Sequence, residues 1–287
     1  MFTAICGRAV FAAAGLILAI GTAWAQQSPT QTTAARGGSR IAGRGSSRAA
    51  MNSPRFVDGH PNFNGVWQAL NTANWNLQDH PAYAGPMWEM GAIGAVPAGQ
   101  GVVEGNEIPY LPAALEKKKK NFENRRTDDP EAKCYMGGIP RSNYMPYPFQ
   151  IVQSPVGILF VYEYASSNRL VNMGKPQEAG SDTWMGTNNG HWEGDTLVID
   201  VTGLNGLAWF DRAGNFASDS LHVVERWSLA DKDHLNYEAT IEDPKTFSRP
   251  WKIRMPIYRR VEKNAQLLEF KCVEFSEELL YGKYRKK

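Results

Sequence analysis

Cysteine is scarce, with only three in a chain of 287 residues. Cys6, Cys134 and Cys272 contain no Cys-x-x-Cys spacing, which excludes the thioredoxin-type redox motif. Histidine is thin as well, at five residues. None of the five forms a close pair with ligand spacing, so no metal site is expected unless loops assemble one. The chain has no G-x-S-x-G elbow, no phosphate loop, no dinucleotide-type glycine fingerprint and no H-E-x-x-H, and no cofactor is expected. Neither sign of charge is in excess: the formal net charge is +2, or +1 without Arg8. That balance argues against nucleic acid or an anionic membrane surface as partner and leaves recognition to local features.

Long apolar runs are missing too, except at the very start. MFTAICGRAVFAAAGLILAIGTAWAQQ carries Arg8, an apolar stretch from Ala9 to Ile20, and small residues at Ala23 and Ala25. Residues 1–25 therefore read as a cleaved signal peptide, which predicts a periplasmic or secreted protein with no integral membrane segment after cleavage. Cys6 would leave with it. The remaining Cys134 and Cys272 are expected to join, since an oxidising compartment favours pairing of two thiols. Closing so long a loop is worth about 4 to 5 kcal/mol on the chain-entropy model.

What is present falls into three stretches. Residues 26–55 are Gln, Thr, Ser, Gly, Ala and Arg with almost nothing to bury, and read as a disordered linker. Residues 56–287 form one expected domain, loop-rich over 56–141. Its one short helix begins near Pro112, with Leu115 and Phe122 as an apolar stripe across from the solvated Lys117–Lys120. From 148 to 275 short alternating runs follow one another: 151–153, 158–164, 169–173, 196–201, 221–229, 235–241, 251–258 and 267–275. Turn residues such as Glu193-Gly194-Asp195 and Asp231-Lys232-Asp233 separate them. The pattern predicts a mainly β protein, an antiparallel meander closing into a barrel.

The hairpin around Lys232 can be registered from its side chains. A turn there pairs Leu229 with Leu235, Trp227 with Tyr237, Glu225 with Ala239, and Val223 with Ile241. One face is apolar. The other, with His222, Arg226 and Ser228 against Asn236, Glu238 and Thr240, reads as solvent, with Arg226 and Glu238 as an exposed ion pair. Glu225 is the exception, a carboxyl on the apolar face. Burying it unpaired would cost several kcal/mol, so it pairs with a buried Arg or Tyr hydroxyl, or it serves as a general acid or base. His222, Asp211, Arg212 and His80 are the accompanying candidates for catalysis. Trp75, Trp184, Trp209, Trp227 and Tyr237 are the candidate ligand walls, and Trp75 and Tyr83 flank His80.

Gly65-Val66-Trp67 on the first strand resembles the G-x-W signature of lipocalin-like (calycin) barrels, in which the Trp closes one barrel end. W-M-G (184–186), G-H-W-E-G-D-T-L-V-I-D (190–200), D-R-A-G (211–214), S-D-S-L-H-V-V-E-R (218–226) and I-E-D-P-K-T-F-S-R-P-W (241–251) resemble an uncharacterised group of exported bacterial proteins. That likeness runs from about Asn62 onward and implies a single recurring domain without naming catalytic residues. Three functions follow as expectations. One is a cofactor-independent lyase, isomerase or hydrolase acting on an aromatic or apolar small molecule in a barrel cavity. The others are a non-catalytic binding or carrier protein using the same cavity, and a surface-interaction module.

Overall fold

The computed structural model describes residues 54–285, residue 86 excepted. The expected signal peptide, Cys6 and nearly all of the expected linker lie outside the described residues. Among the described residues nine strands form a closed barrel, in which each strand pairs with its neighbour in sequence. They are β1 (Gly65–Gln68), β2 (Phe149–Ser154), β3 (Gly157–Tyr162), β4 (Asn168–Asn172), β5 (Thr187–Glu193), β6 (Thr196–Thr202), β7 (His222–Leu229), β8 (His234–Glu242) and β9 (Trp251–Arg259). β9 returns to pair with β1 and closes the sheet, giving the expected lipocalin-like barrel.

The meander departs from the all-antiparallel expectation at one place. β4 and β5 are parallel, because residues 173–186 cross over instead of making a hairpin. β5 is also the strand that alternation did not reveal. Its sequence, Thr-Asn-Asn-Gly-His-Trp-Glu, is polar, and Gly190 stands where a side chain would collide with Val171 and Met173. Conversely, residues 267–275 form no strand and are largely exposed. With β1 and β9 already joined, the barrel leaves no open edge for a further strand to pair with.

The hairpin of β7 and β8 has the register its side chains require, from Val223 opposite Ile241 to Leu229 opposite Leu235. Arg226 does stand across from Glu238, but the expected ion pair is rerouted. Arg226 bonds Glu193 at 2.7 Å, while Glu238 takes Lys252 at 2.8 Å and Arg254 at 2.7 Å. Glu238 has a register partner on each side, Arg226 on β7 and Arg254 on β9, and it pairs with the β9 side, which adds Lys252 on the diagonal.

α1 (Pro112–Asp128) starts at the expected proline but runs for 17 residues, and its apolar stripe is not a buried one. Ala114 is the residue it buries, Leu115 is exposed, and Phe122 carries the Arg125 guanidinium 4.1 Å above its ring. A second short helix, α2 (Ser276–Tyr281), lies in the C-terminal segment and was not foreseen. Cys134 and Cys272 form the expected disulfide, with Cα atoms 5.8 Å apart.

Side chains fill the barrel. Trp67, Phe149, Phe160, Trp227 and Tyr237 are all essentially inaccessible to solvent, together with the aliphatic inner positions of β6 to β9. Trp67 explains the G-x-W triplet in physical terms: its Nε1 donates to the Phe63 carbonyl, and Arg259 lies 4.0 Å over its ring. Arg259 also donates to the Asn64 carbonyl at 2.7 Å. Any side chain at Gly65, whose φ is +141°, would run into that guanidinium.

Candidate functional site

The residues picked out by sequence separate into an interior cluster, an outer cavity and several isolated positions. Glu225 points inward from the middle of β7, as its register requires, and is completely buried. Three donors converge on it. Asn143 Nδ2 donates to Oε1 at 2.6 Å, the Tyr237 hydroxyl donates to the same oxygen at 2.7 Å, and Arg169 Nη1 donates to Oε2 at 2.6 Å. Glu225 is therefore paired, with both an Arg and a Tyr hydroxyl among its partners. Arg169, from β4, also donates to Asn188 at 3.0 Å, and the Tyr162 hydroxyl donates to Asn143 at 2.7 Å. Asn143 arrives from outside the sheet, on the single helical turn Arg141–Asn143. Burial works to lower the Arg169 pKa, but Glu225 and Tyr162 outweigh it and hold the guanidinium charged. Burial, reinforced by Glu225, pushes the Tyr237 hydroxyl well above the ordinary phenol range.

The outer cavity, of ≈ 210 Å³, lies between the loops, α1 and the C-terminal segment. Trp75, Tyr83, Tyr147, Tyr164 and Phe270 supply aromatic walls, and Arg125, Arg126, Arg212 and Lys271 supply cations beside the carboxylates of Asp129, Glu131, Glu277 and Glu278. Phe270 packs edge-on to Tyr147 at 5.4 Å and lies 4.9 Å from Tyr164. The Cys134–Cys272 bridge fastens this C-terminal wall, and Cys272 itself lines the cavity.

Arg212 and Arg125 are held differently. Arg212 is fixed: its Nε and Nη2 each donate to Glu131 at 2.8 Å, its Nη1 donates to Glu277 at 2.9 Å, and it lies 4.5 Å over the Trp75 ring. Glu131 is shared with Arg141, 2.5 Å away, which also grips Asp129. Burial would raise the Glu131 pKa, but Arg141 and Arg212 together pull it down to about 2. Arg125 has no such anchor. It is half-buried, donates to the Phe122 carbonyl at 2.5 Å, and among the described residues forms no ion pair; burial lowers its pKa.

Of the residues expected to act together, Trp227 and Tyr237 do surround Glu225, while Trp75 and Arg212 line the outer cavity. The rest are elsewhere. His222 lies on the outside of the barrel, 3.0 Å from Asp200 and 3.3 Å from Glu242. Positions 222 and 225 are an odd number of residues apart, so a strand must send them to opposite faces. Burial lowers the His222 pKa less than these two carboxylates raise it.

Asp211 is fully buried, but it organises its own loop, accepting from the Leu77, Ala213 and Asn215 amides and from the Asn215 side chain. Burial pushes its pKa up to about 6. His80 sits on an outer loop bridged to Gly99, its ring edge-on to Tyr83. Trp209 belongs to a small cluster with Ala114 and Phe216, and Trp184 stacks on Tyr135 beside a second opening at the end of β4.

The alternation of β4 could have yielded Arg169, since it shares the buried face with Val171. Asn143, Tyr147 and Phe270, which loops and a short helical turn deliver, and Arg125, which the end of α1 delivers, carry no such signal. No model of a known protein family matches the chain, and no curated protein matches it.

Proposed function

We propose that this chain is an exported, non-catalytic binding protein for a small aromatic molecule, held in the outer cavity with its acidic group on Arg125. The carrying observation is the combination of aromatic walls with a half-buried guanidinium, Arg125, that makes no direct ion pair among the described residues, the Glu277 carboxylate acting on it only from a distance. Apolar rings favour burying a ring, and a partly desolvated guanidinium favours a carboxylate over water. The size agrees: ≈ 210 Å³ suits a single ring, since an apolar cavity of about 150 Å³ already admits benzene. The disulfide and the absence, among the described residues, of a helix long and apolar enough to cross a membrane are compatible with an exported soluble chain. Binding is favoured over turnover because Glu225, the carboxyl best suited by sequence to proton transfer, is engaged by three donors and does not line this cavity.

A thermal-shift titration with benzoate and its neutral analogue benzyl alcohol tests the proposal. Benzoate at a hundredfold excess over its Kd is expected to stabilise the chain by about 2.7 kcal/mol. Arg125→Met should abolish the preference for benzoate while leaving the weaker response to benzyl alcohol. Equal responses to both compounds in the unaltered protein would remove Arg125 from the site, and no response to either would remove the site.

A further inference from the structure

The barrel interior holds donors that find no hydrogen-bond partner among the described residues. Arg169 is buried with its side chain 1% accessible, yet only its Nη1 is used, on Glu225 and Asn188. Its Nε and Nη2 are buried without a hydrogen-bond partner. Those two atoms form one edge of the guanidinium, and their N–H bonds point the same way, spaced to meet the two oxygens of a carboxylate. Trp227 Nε1 is a third buried donor without a partner. Both groups pack on one ring: the Arg169 guanidinium lies 4.5 Å from the Phe160 centroid, and the Trp227 ring lies 5.4 Å from it. A buried donor left unmade costs about 1–3 kcal/mol, so the two unused donors on one edge of Arg169 mark a place suited to an acceptor.

From this edge we infer that the inner end of the opening beside β4, where Arg169 and Asn188 line it, is a second binding site, specific for a small carboxylate. Glu225 is then a positioning residue. With Asn188 it occupies Nη1 and fixes the guanidinium plane, and so turns the free edge toward the ligand. An opening lined by Ser167, Arg169, Leu170, Trp184, Met185 and Asn188 leads to the end of β4 and gives the route in. Because Glu225 already neutralises Arg169, it competes electrostatically with the incoming anion. Modest affinity follows, and it should rise when the Glu225 charge is removed.

The test is an acetate titration of the whole chain, followed through the ¹H–¹⁵N resonance of Arg169 Nε and by calorimetry, with acetamide as the neutral control. Acetate is expected to shift the resonance saturably and to bind about tenfold more tightly than acetamide, which offers one oxygen and no charge. Glu225→Gln, nearly the same shape, should tighten acetate by about tenfold, since the competing charge is gone. Arg169→Lys keeps a cation but loses the edge, and should abolish binding. Arg125→Met removes any acetate held in the outer cavity but should leave the saturable Arg169 Nε shift unchanged, which separates the two sites. Equal acetate and acetamide responses at Arg169 Nε, no gain in Glu225→Gln, or loss of the Arg169 Nε shift in Arg125→Met would each overturn the inference.

Discussion

The barrel interior and the outer cavity solve the same problem, holding charge away from water, in opposite ways. Inside, Glu225 and Arg169 are placed by strand alternation and bonded through short, fixed contacts. Outside, Glu131, Arg141, Arg212 and Asp129 are gathered from loops, and one wall is secured by a disulfide across a sequence separation of 138. The first arrangement is regular and therefore rigid. The second depends on long-range ties, and removing one tie should loosen a whole wall.

The sharpest way to break this contrast is to remove one member of the interior pair. Arg169→Met leaves a buried carboxylate uncompensated and should cost about 3–5 kcal/mol in urea unfolding. The double variant Arg169→Met with Glu225→Met should recover most of that loss, because no charge then remains to be buried. If the single and double variants were equally damaged, packing and not charge would dominate the interior.

On the outer side, Cys272→Ser should lower stability by about 2–5 kcal/mol. It should also weaken benzoate binding, since the wall bearing Phe270 is no longer tied down. Acetate binding in the interior should not change, and a loss there would mean that the two regions are not independent.

Acid sharpens the comparison further. The Glu131 carboxyl falls from an ordinary value of 4.5 to about 2 on folding, so its stabilisation is full above pH 4.5 and fades as pH drops toward 2. That is on the order of 3 kcal/mol, and Glu131→Gln should flatten this part of the stability–pH curve. A curve that kept its slope in the variant would assign the acid sensitivity to other carboxylates.

The smallest effect is expected at His222, where Asp200 and Glu242 raise the imidazole pKa. A raised histidine contributes stability below its unfolded pKa of about 6.5 and loses it as pH rises through the folded value. His222→Gln should therefore change thermal stability slightly at pH 6 and hardly at all at pH 9.

The same contrast explains what could be read from the sequence. Leu229, Trp227, Glu225 and Val223 revealed the inner face of β7 because one face of a strand repeats every second residue. Arg169 was legible by the same rule. β5 was not, because close packing against β4 demands Gly190 and removes the alternation. Residues 267–275 look like a strand, but closure of the barrel through β1 and β9 leaves them no edge to join. The outer cavity had only fragments of signal: Trp75 beside Tyr83, and Arg212 in its Asp-Arg pair. Tyr147, Tyr164, Phe270 and Arg125 meet there through loop paths and a disulfide that no local period encodes.

The most direct measurement is a crystal structure of the chain soaked with benzoate. Electron density for the ring among Trp75, Tyr83 and Phe270, with the carboxylate on the Arg125 guanidinium, is the predicted result. A saturating soak that leaves this cavity without benzoate, or seats the carboxylate on another cation, would contradict it.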